Sequence, residues 1–234
     1  MKLKGMIHKV SALSERDHAR MFTLMTSHYE NVKHEKFLHD LAEKDGVLLL
    51  YDETGEIQGF TTFLLMEFAV HHQPAYALYS GDTIINKTCW GQMELFRVFG
   101  GLFKTFLVDR KEPLYWFLLT KGIRTYLLLP LFFKEFYPNF STETPAHHQN
   151  LITQLATLKF GESYLKEQGI VRILPGADRL QEALACIPEH RRQNRHVRFF
   201  TEKNPGYTAG DELVCLAQIS VSNFTRIATQ FVRL

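Results

Sequence analysis

Apolar runs alternate along this chain with short polar breaks, and the spacing inside each run predicts what it forms. Residues 6 to 12 read as a first strand, and Ser14-Glu15-Arg16-Asp17 has the form of a capping box that opens a helix. Ala19, Phe22, Met25 and Tyr29 then recur at helical intervals. Phe37, Leu38 and Leu41 mark a second short helix from about 33 to 43, closed near Asp45-Gly46. Val47 to Tyr51 is continuously apolar, Asp52-Glu53-Thr54-Gly55 is turn chemistry, and Ile57 to Met66 is extended again, which predicts a β-hairpin. Phe63 and Leu65 on one face of its second strand, with Phe60, Leu64 and Met66 on the other, predict a central strand covered on both sides.

The segment from Ala75 to Phe106 is the most informative. An extended run, Tyr76 to Ile85, breaks at Asn86-Lys87-Thr88-Cys89 and restarts at Trp90-Gly91 as an amphipathic helix. In that helix Met93, Phe96, Phe99, Phe103 and Phe106 form one stripe, with Glu94, Arg97 and Lys104 opposite. A strand feeding a helix through a short polar loop gathers free backbone amides at one point, and such a point attracts phosphate. Leu114 to Leu119 returns as a strand. Arg124 to Tyr137 reads as a helix that bends or restarts at Pro130.

The apolar stretch from 114 to 133 approaches bilayer-spanning length, but Lys121, Gly122 and Arg124 interrupt it. A buried strand followed by a packed helix is therefore expected, with no membrane span. Beyond Pro138 the pattern predicts a helix over 145–168, a strand at 170–174, helices near 178–186 and 188–200, a strand at 213–219 and a closing helix over 221–231. The polar stretch from Asn139 to Pro145 is a loop rather than a linker, so one domain is expected.

Composition narrows the classes. A hydrophobic content of 45% supports a sizeable core. Lys and Arg number 27 against 25 Asp and Glu, and the resulting net charge of +2 gives no general reason to expect nucleic acid or a membrane surface as partner. Cys89, Cys186 and Cys215 lack the short spacing of zinc or redox motifs, so no metal is expected and reduced thiols in the cytoplasm are the simplest reading. The stretch Met1-Lys2-Leu3-Lys4-Gly5 lacks a signal peptide's apolar core.

The order strand, two helices, three strands, helix, strand, helix and further strands resembles the GNAT superfamily of acyl-CoA-dependent N-acyltransferases. The resemblance covers residues 6 to 137, with 213–219 as a closing strand and 138–212 as a helical elaboration over the acceptor side. It implies an α/β (α+β) fold with a mixed, mostly antiparallel central sheet flanked by helices. In that family the fourth strand, here 75–85, splays from the fifth, here 114–119, and the acyl-thioester arm enters the gap.

The family's phosphate loop reads Gln or Arg, two residues, Gly, one residue, Gly or Ala. Here Asn86-Lys87-Thr88-Cys89-Trp90-Gly91-Gln92-Met93 offers a single glycine, Gly91. The resemblance implies amides near Trp90, Gly91 and Gln92 holding phosphate, and the edges of Thr83, Ile84 and Ile85 aligning a pantetheine arm. The donor it implies is a coenzyme A thioester, acetyl-CoA or longer, and the single glycine also leaves room for an acyl carrier protein thioester. The acceptor is a small-molecule or peptide amine. Two other functions stay open: a non-catalytic binding module for a metabolite or partner peptide, and an enzyme resembling acyl-homoserine-lactone synthases.

Acyl transfer to an amine needs a base, a polarised carbonyl and often an acid for the leaving thiolate. Asp82 follows Ser80-Gly81 on the strand bordering the gap, where it reads equally as the base or as a carboxylate binding amides at a bulge. Tyr126 falls near the position of the family's general acid, with Tyr137 as an alternative and plain packing as the competing role. His71-His72 occupies a turn, with Glu67 nearby, and a solvated turn is the simpler reading. Cys89 sits at a helix start that can activate a thiol or merely bury it, and His147-His148 has no carboxylate at ligand spacing.

Arg191, Arg195 and Arg198, with His190, Arg192 and His196 adjacent, fall on one helical face. They suit a nucleotide phosphate, an acidic carrier surface or solvent. The 19 phenylalanines line either an acyl channel or a core, and core packing is the simpler reading.

Overall fold

Ser14 opens the first long helix as its neighbours require: its hydroxyl accepts from the Asp17 amide at 3.2 Å, while the Asp17 carboxylate accepts from the Ser14 amide at 2.9 Å. The structure, a computed structural model, describes residues 2–232. The main sheet contains β1 (Lys4–Lys9), β2 (Gly46–Tyr51), β3 (Ile57–Val70), β4 (Gln73–Ile85), β5 (Leu114–Thr120), β6 (Tyr164–Leu165), β7 (Ile170–Val171) and β8 (Glu212–Gln218). Their order is β1-β2-β3-β4-β5-β8-β7-β6. Every pairing is antiparallel except β4 with β5, so the sheet is mixed and mostly antiparallel, as the resemblance implies.

The helices are α1 (Glu15–Thr26), α2 (His34–Ala42), α3 (Glu94–Asp109), α4 (Ile123–Tyr126), α5 (Leu128–Phe132), α6 (Ala146–Phe160), α7 (Glu182–Ala185), α8 (Glu189–Arg192), α9 (Arg195–Lys203) and α10 (Arg226–Val232). Alternation along the strands separates two faces. Leu48, Leu78, Trp116, Leu118 and Cys215 pack with α3, α5, α9 and α10. Opposite them, Ala77, Phe117, Leu119 and Leu216 pack with α6, while Val47, Leu49 and Phe60 pack with α1 and α2. Phenylalanines concentrate in the first layer, where Phe99, Phe103, Phe132 and Phe133 surround Trp116 and Phe224 packs behind Phe103 and Phe133. That is core packing rather than a channel. No helix among the described residues is long and apolar enough to cross a membrane.

Several boundaries differ from the sequence reading, each for a local reason. β3 and β4 extend to a two-residue turn at His71 and His72, whose φ values of 49° and 64° match the tight turn that twisted hairpins favour. The helix expected over 124–137 restarts at Leu128, which puts Pro130 in the first turn of α5, where a missing N–H costs nothing. The helix expected over 145–168 ends at Phe160, before Gly161 at φ 53°.

The single helix expected at 188–200 splits because Asn194 caps a new start, accepting from the amides of His196 and Val197. The helix expected near 178–186 shrinks to α7, since Arg179–Leu180 pairs instead with Tyr29–Glu30. The segment 138–212 is therefore not purely helical: it adds β6 and β7 to the sheet.

Candidate functional site

β4 and β5 are paired in parallel from Tyr76 opposite Leu114 to Ser80 opposite Leu118, and there the pairing stops. Both strands continue, β4 to Ile85 and β5 to Thr120. The cause lies on the other edge of β4. Thr62 faces Gly81 and Phe60 faces Ile84, so Asp82 and Thr83 together oppose Thr61. Such a bulge bends its strand and raises its twist. Asp82 takes up the distortion with φ 44°, and Thr61 Oγ1 braces it by donating to the Gly81 carbonyl at 3.1 Å and meeting Thr83 Oγ1 at 2.8 Å. β5 stays with β8 up to Thr120, opposite Leu213, so the two strands part.

The fork opens into a cavity of about 970 Å³. A strap over 173–181 closes one side of it. Asp178 ion-pairs with Lys36 at 2.8 Å and with Lys121, the Ala177 carbonyl accepts from Asn31 Nδ2 at 3.3 Å, and Arg179 pairs with Glu30 at 2.9 Å. The C-terminal half thereby reaches back over the α1–α2 connection.

Asp82, Thr83, Ile84, Ile85, Trp90, Gly91 and Gln92 all line this cavity. One expectation needs correction. The Ile85 carbonyl is not free for a ligand, because Trp90 Nε1 donates to it at 2.9 Å and His28 Nε2 contacts it at the same distance. The loop after β4 also uses its amides internally. Thr88 N donates to Asn86 Oδ1, Cys89 N to the Asn86 carbonyl and Trp90 N to the Lys87 carbonyl. Gln92 Oε1 accepts from Leu3 N at 3.3 Å, and Glu94 Oε1 accepts from Gly5 N at 3.0 Å, tying the start of α3 to β1.

The structure does not bring Tyr126 to the cavity. It is fully buried against Phe136, Phe199 and Phe200, and its hydroxyl donates to the Pro138 carbonyl at 3.0 Å. With its hydroxyl engaged by Pro138 and sealed from the cavity, Tyr126 does not fit the acid role expected for it, and burial pushes its phenol well above the ordinary range. Tyr137 and Cys89 are buried away from the cavity, and His71, His72 and Glu67 are exposed at or near the hairpin end. The His147 and His148 rings lie against one another at a tilt of 45°, with centroids 3.9 Å apart. Of the arginine row only Arg191 lines the cavity, because the break at Asn194 sends Arg195 and Arg198 onto a different helix. Among the described residues no group of three or more His, Cys, Asp or Glu side chains is placed to hold a metal ion.

The sequence reading missed a charged interior. Glu212 opens β8, Lys121 follows β5, and both face the cavity beside Lys44 and Asp82. Since β5 lies between β4 and β8, the end of β5 and Lys121 separate Asp82 from Glu212. Burial pushes the Glu212 carboxyl up to about 7; Lys121 opposes this, and Asp178 and Asp82 reinforce it. Burial also raises Asp82, against the pull of Lys44 and Lys121, and lowers Lys44. Burial works against the Lys121 charge, but Glu212 and Asp178 outweigh it and hold the ammonium above its usual range. Asp178 is likewise penalised by burial, yet Lys121 and Lys36 bring it down to about 2. A signal was present: Lys121 breaks an otherwise apolar stretch, and Glu212 directly precedes the apolar run of the last strand.

No family model matches the chain, and no curated protein matches it. Solved structures similar to part of it include a conserved protein from Enterococcus faecalis V583 described as a probable N-acyltransferase. It is 11% identical, with 57% of this chain and 33% of that one covered and a TM-score of 0.42. A GNAT family N-acetyltransferase from Escherichia coli in complex with CoA is 16% identical over 52% of this chain and 65% of its own, with a TM-score of 0.37. N-myristoyltransferase from Saccharomyces cerevisiae with bound myristoyl-CoA is 10% identical over 51% of this chain and 29% of its own, with a TM-score of 0.38. The match spans less than two thirds of the length of each of these three chains.

Proposed function

We propose that this protein is a divergent GNAT-type N-acyltransferase that moves an acyl group from a coenzyme A thioester to an amine. The observation that carries this reading is the fork: two parallel strands part after Ser80 and Leu118 and leave an unshared strand edge on the wall of a large cavity. Backbone groups at such an edge need partners, and an extended ligand bearing amides supplies them as an added strand would. The residues present fit this ligand along Asp82 to Ile84, the Gly81 carbonyl being already taken by Thr61. The Ile85 carbonyl, already engaged by Trp90 and His28, marks where that edge ends.

Bound there, the thioester would supply an acyl carbon activated toward amines. The chain's own task is proton handling. An amine arrives protonated at neutral pH and must lose one proton before its nitrogen can form the C–N bond; as the C–S bond breaks, the leaving thiolate takes up the second proton that the nitrogen sheds. Glu212, poised near 7, suits the base, since it accepts that proton at the pH where the enzyme works. Asp82, at the bulge, holds the acceptor's ammonium beside the donor arm. Lys121 between them counters part of the rise that burial imposes on both carboxyls.

Calorimetric titration with CoA, acetyl-CoA, a longer acyl-CoA and an acylated carrier protein tests the reading, followed by thiol release with a panel of amines. Binding of a CoA thioester with amine-dependent thiol release supports it, and no binding to any donor removes it. Donor binding without thiol release favours the non-catalytic module, for which the engaged loop amides and single loop glycine are the motivating observations.

A further inference from the structure

We infer that Arg124 and Arg191 grip the donor's phosphate groups in this protein, in place of a glycine-rich amide cradle. The inference rests on the transferase reading and assigns its anion site to side chains.

The loop after β4 is a poor amide cradle. Asn86 and Lys87 already take three of its amides, those of Thr88, Cys89 and Trp90, and the Glu94 carboxylate in the first turn of α3 is occupied by Arg97 and Gly5 N. Guanidiniums stand where those amides fail. Arg124 reaches the cavity wall from α4 and lies over the Trp90 ring, 3.9 Å from its centroid, and Trp90 is itself held by the Ile85 carbonyl. Arg191 reaches the same cavity from α8, close enough that the two positive charges repel.

Neither arginine has an ion pair with a described residue, although carboxylates neutralise Lys36, Lys121 and Lys159 around the same cavity. Two unneutralised guanidiniums, one stacked and partly desolvated, make a site for an anion of at least two charges, and a pyrophosphate matches their forked donors. The indole supplies the flat surface that orients Arg124.

Calorimetry with inorganic pyrophosphate and, separately, with CoA tests this on wild type, Arg124→Gln, Arg191→Gln and, as a control outside the cavity, Arg198→Gln. Both probes should bind wild type and the control alike. Each cavity variant should weaken both probes by about tenfold or more and flatten the dependence of affinity on salt. Because Arg191 lies on a short surface helix, its variant keeps the test valid if Arg124→Gln fails to fold.

CoA affinity unchanged in both cavity variants overturns the inference and leaves the transferase reading standing. Pyrophosphate held through the arginines while CoA does not bind preserves the anion site and removes the transferase reading. A wild type that binds neither probe overturns both.

Discussion

Trp116 Nε1 donates to Ser80 Oγ across 2.7 Å inside the core, joining β5 to β4 at the last residue of β4 that pairs with it. Ser80 lies opposite Leu118 and Trp116 opposite Leu78, so this diagonal contact on one face of the sheet marks where the strands part. Ser80→Ala leaves the buried indole N–H without an acceptor and should cost about 1–3 kcal/mol in denaturant unfolding. Conversion of both partners, Ser80→Ala with Trp116→Phe, should cost less than the sum of the two single changes, because no orphan donor remains.

Glu212→Gln should lower turnover about a hundredfold while leaving donor affinity unchanged, measured as thiol release against calorimetry. Wild-type activity should rise with pH to a plateau above about 7 as the carboxyl ionises, and the variant should lose that limb. Tyr126→Phe, by contrast, should retain the wild-type rate, because its hydroxyl serves Pro138.

The same carboxyl predicts a stability effect of defined sign. Its folded pKa lies above the unfolded value, so the native state binds the extra proton, and stability falls as pH rises from about 4.5 to about 7. Thermal unfolding of Glu212→Gln should show a gain over wild type at pH 8 and little gain at pH 4.5.

Asp178 acts in the opposite sense. Its folded pKa of about 2 lies below the unfolded value, so its contribution is complete above about pH 4 and is lost as pH falls toward 2. Asp178→Asn leaves Lys121 without its direct partner and releases the strap from Lys36; it should cost about 3 kcal/mol at pH 7 and little near pH 2. Chemical unfolding at the two pH values measures the difference.

Gly100 and Gly101 are neighbours in α3 with opposite expectations. A Cβ at Gly100 would lie 2.5 Å from the Phe231 carbonyl carbon, whereas one at Gly101 meets nothing within 4 Å. Gly100→Ala should push α10 away and cost about 1–3 kcal/mol. Gly101→Ala should stabilise by about 0.5–1 kcal/mol through helix propensity. Paired unfolding curves distinguish them.

Much of the scaffold is legible in the residues alone. The capping box at Ser14, the hairpin turn after Tyr51, the stripe of phenylalanines along α3 and the continuous apolar strands are local patterns, and local patterns read out through periodicity. The polar break after Ile85 follows from them, whereas the mixed sheet is what the resemblance in element order implies. Short pieces after Pro138 were harder to read, because two-residue strands and four-residue helices carry too little periodic signal. Caps such as Asn194 and turns such as Gly161 decide them instead.

The site divides in the same way. Asp82 could be picked out because it breaks an apolar strand next to Ser80-Gly81, so its own sequence neighbourhood carries the signal. Tyr126 could not be placed, since whether its hydroxyl faces a cavity or the Pro138 carbonyl depends on where the chain goes after α5. Glu212, Lys121, Lys44 and Asp178 lie far apart in the chain and meet only when β8 docks beside β5 and the strap crosses to α2. By itself, then, the sequence determined the long strands and helices up to Pro138 and that one strand ends in a polar loop. Only the tertiary structure decided that the strand edge faces open space and which charges share it, because burial and Coulomb interactions depend on distances between segments that periodicity does not encode.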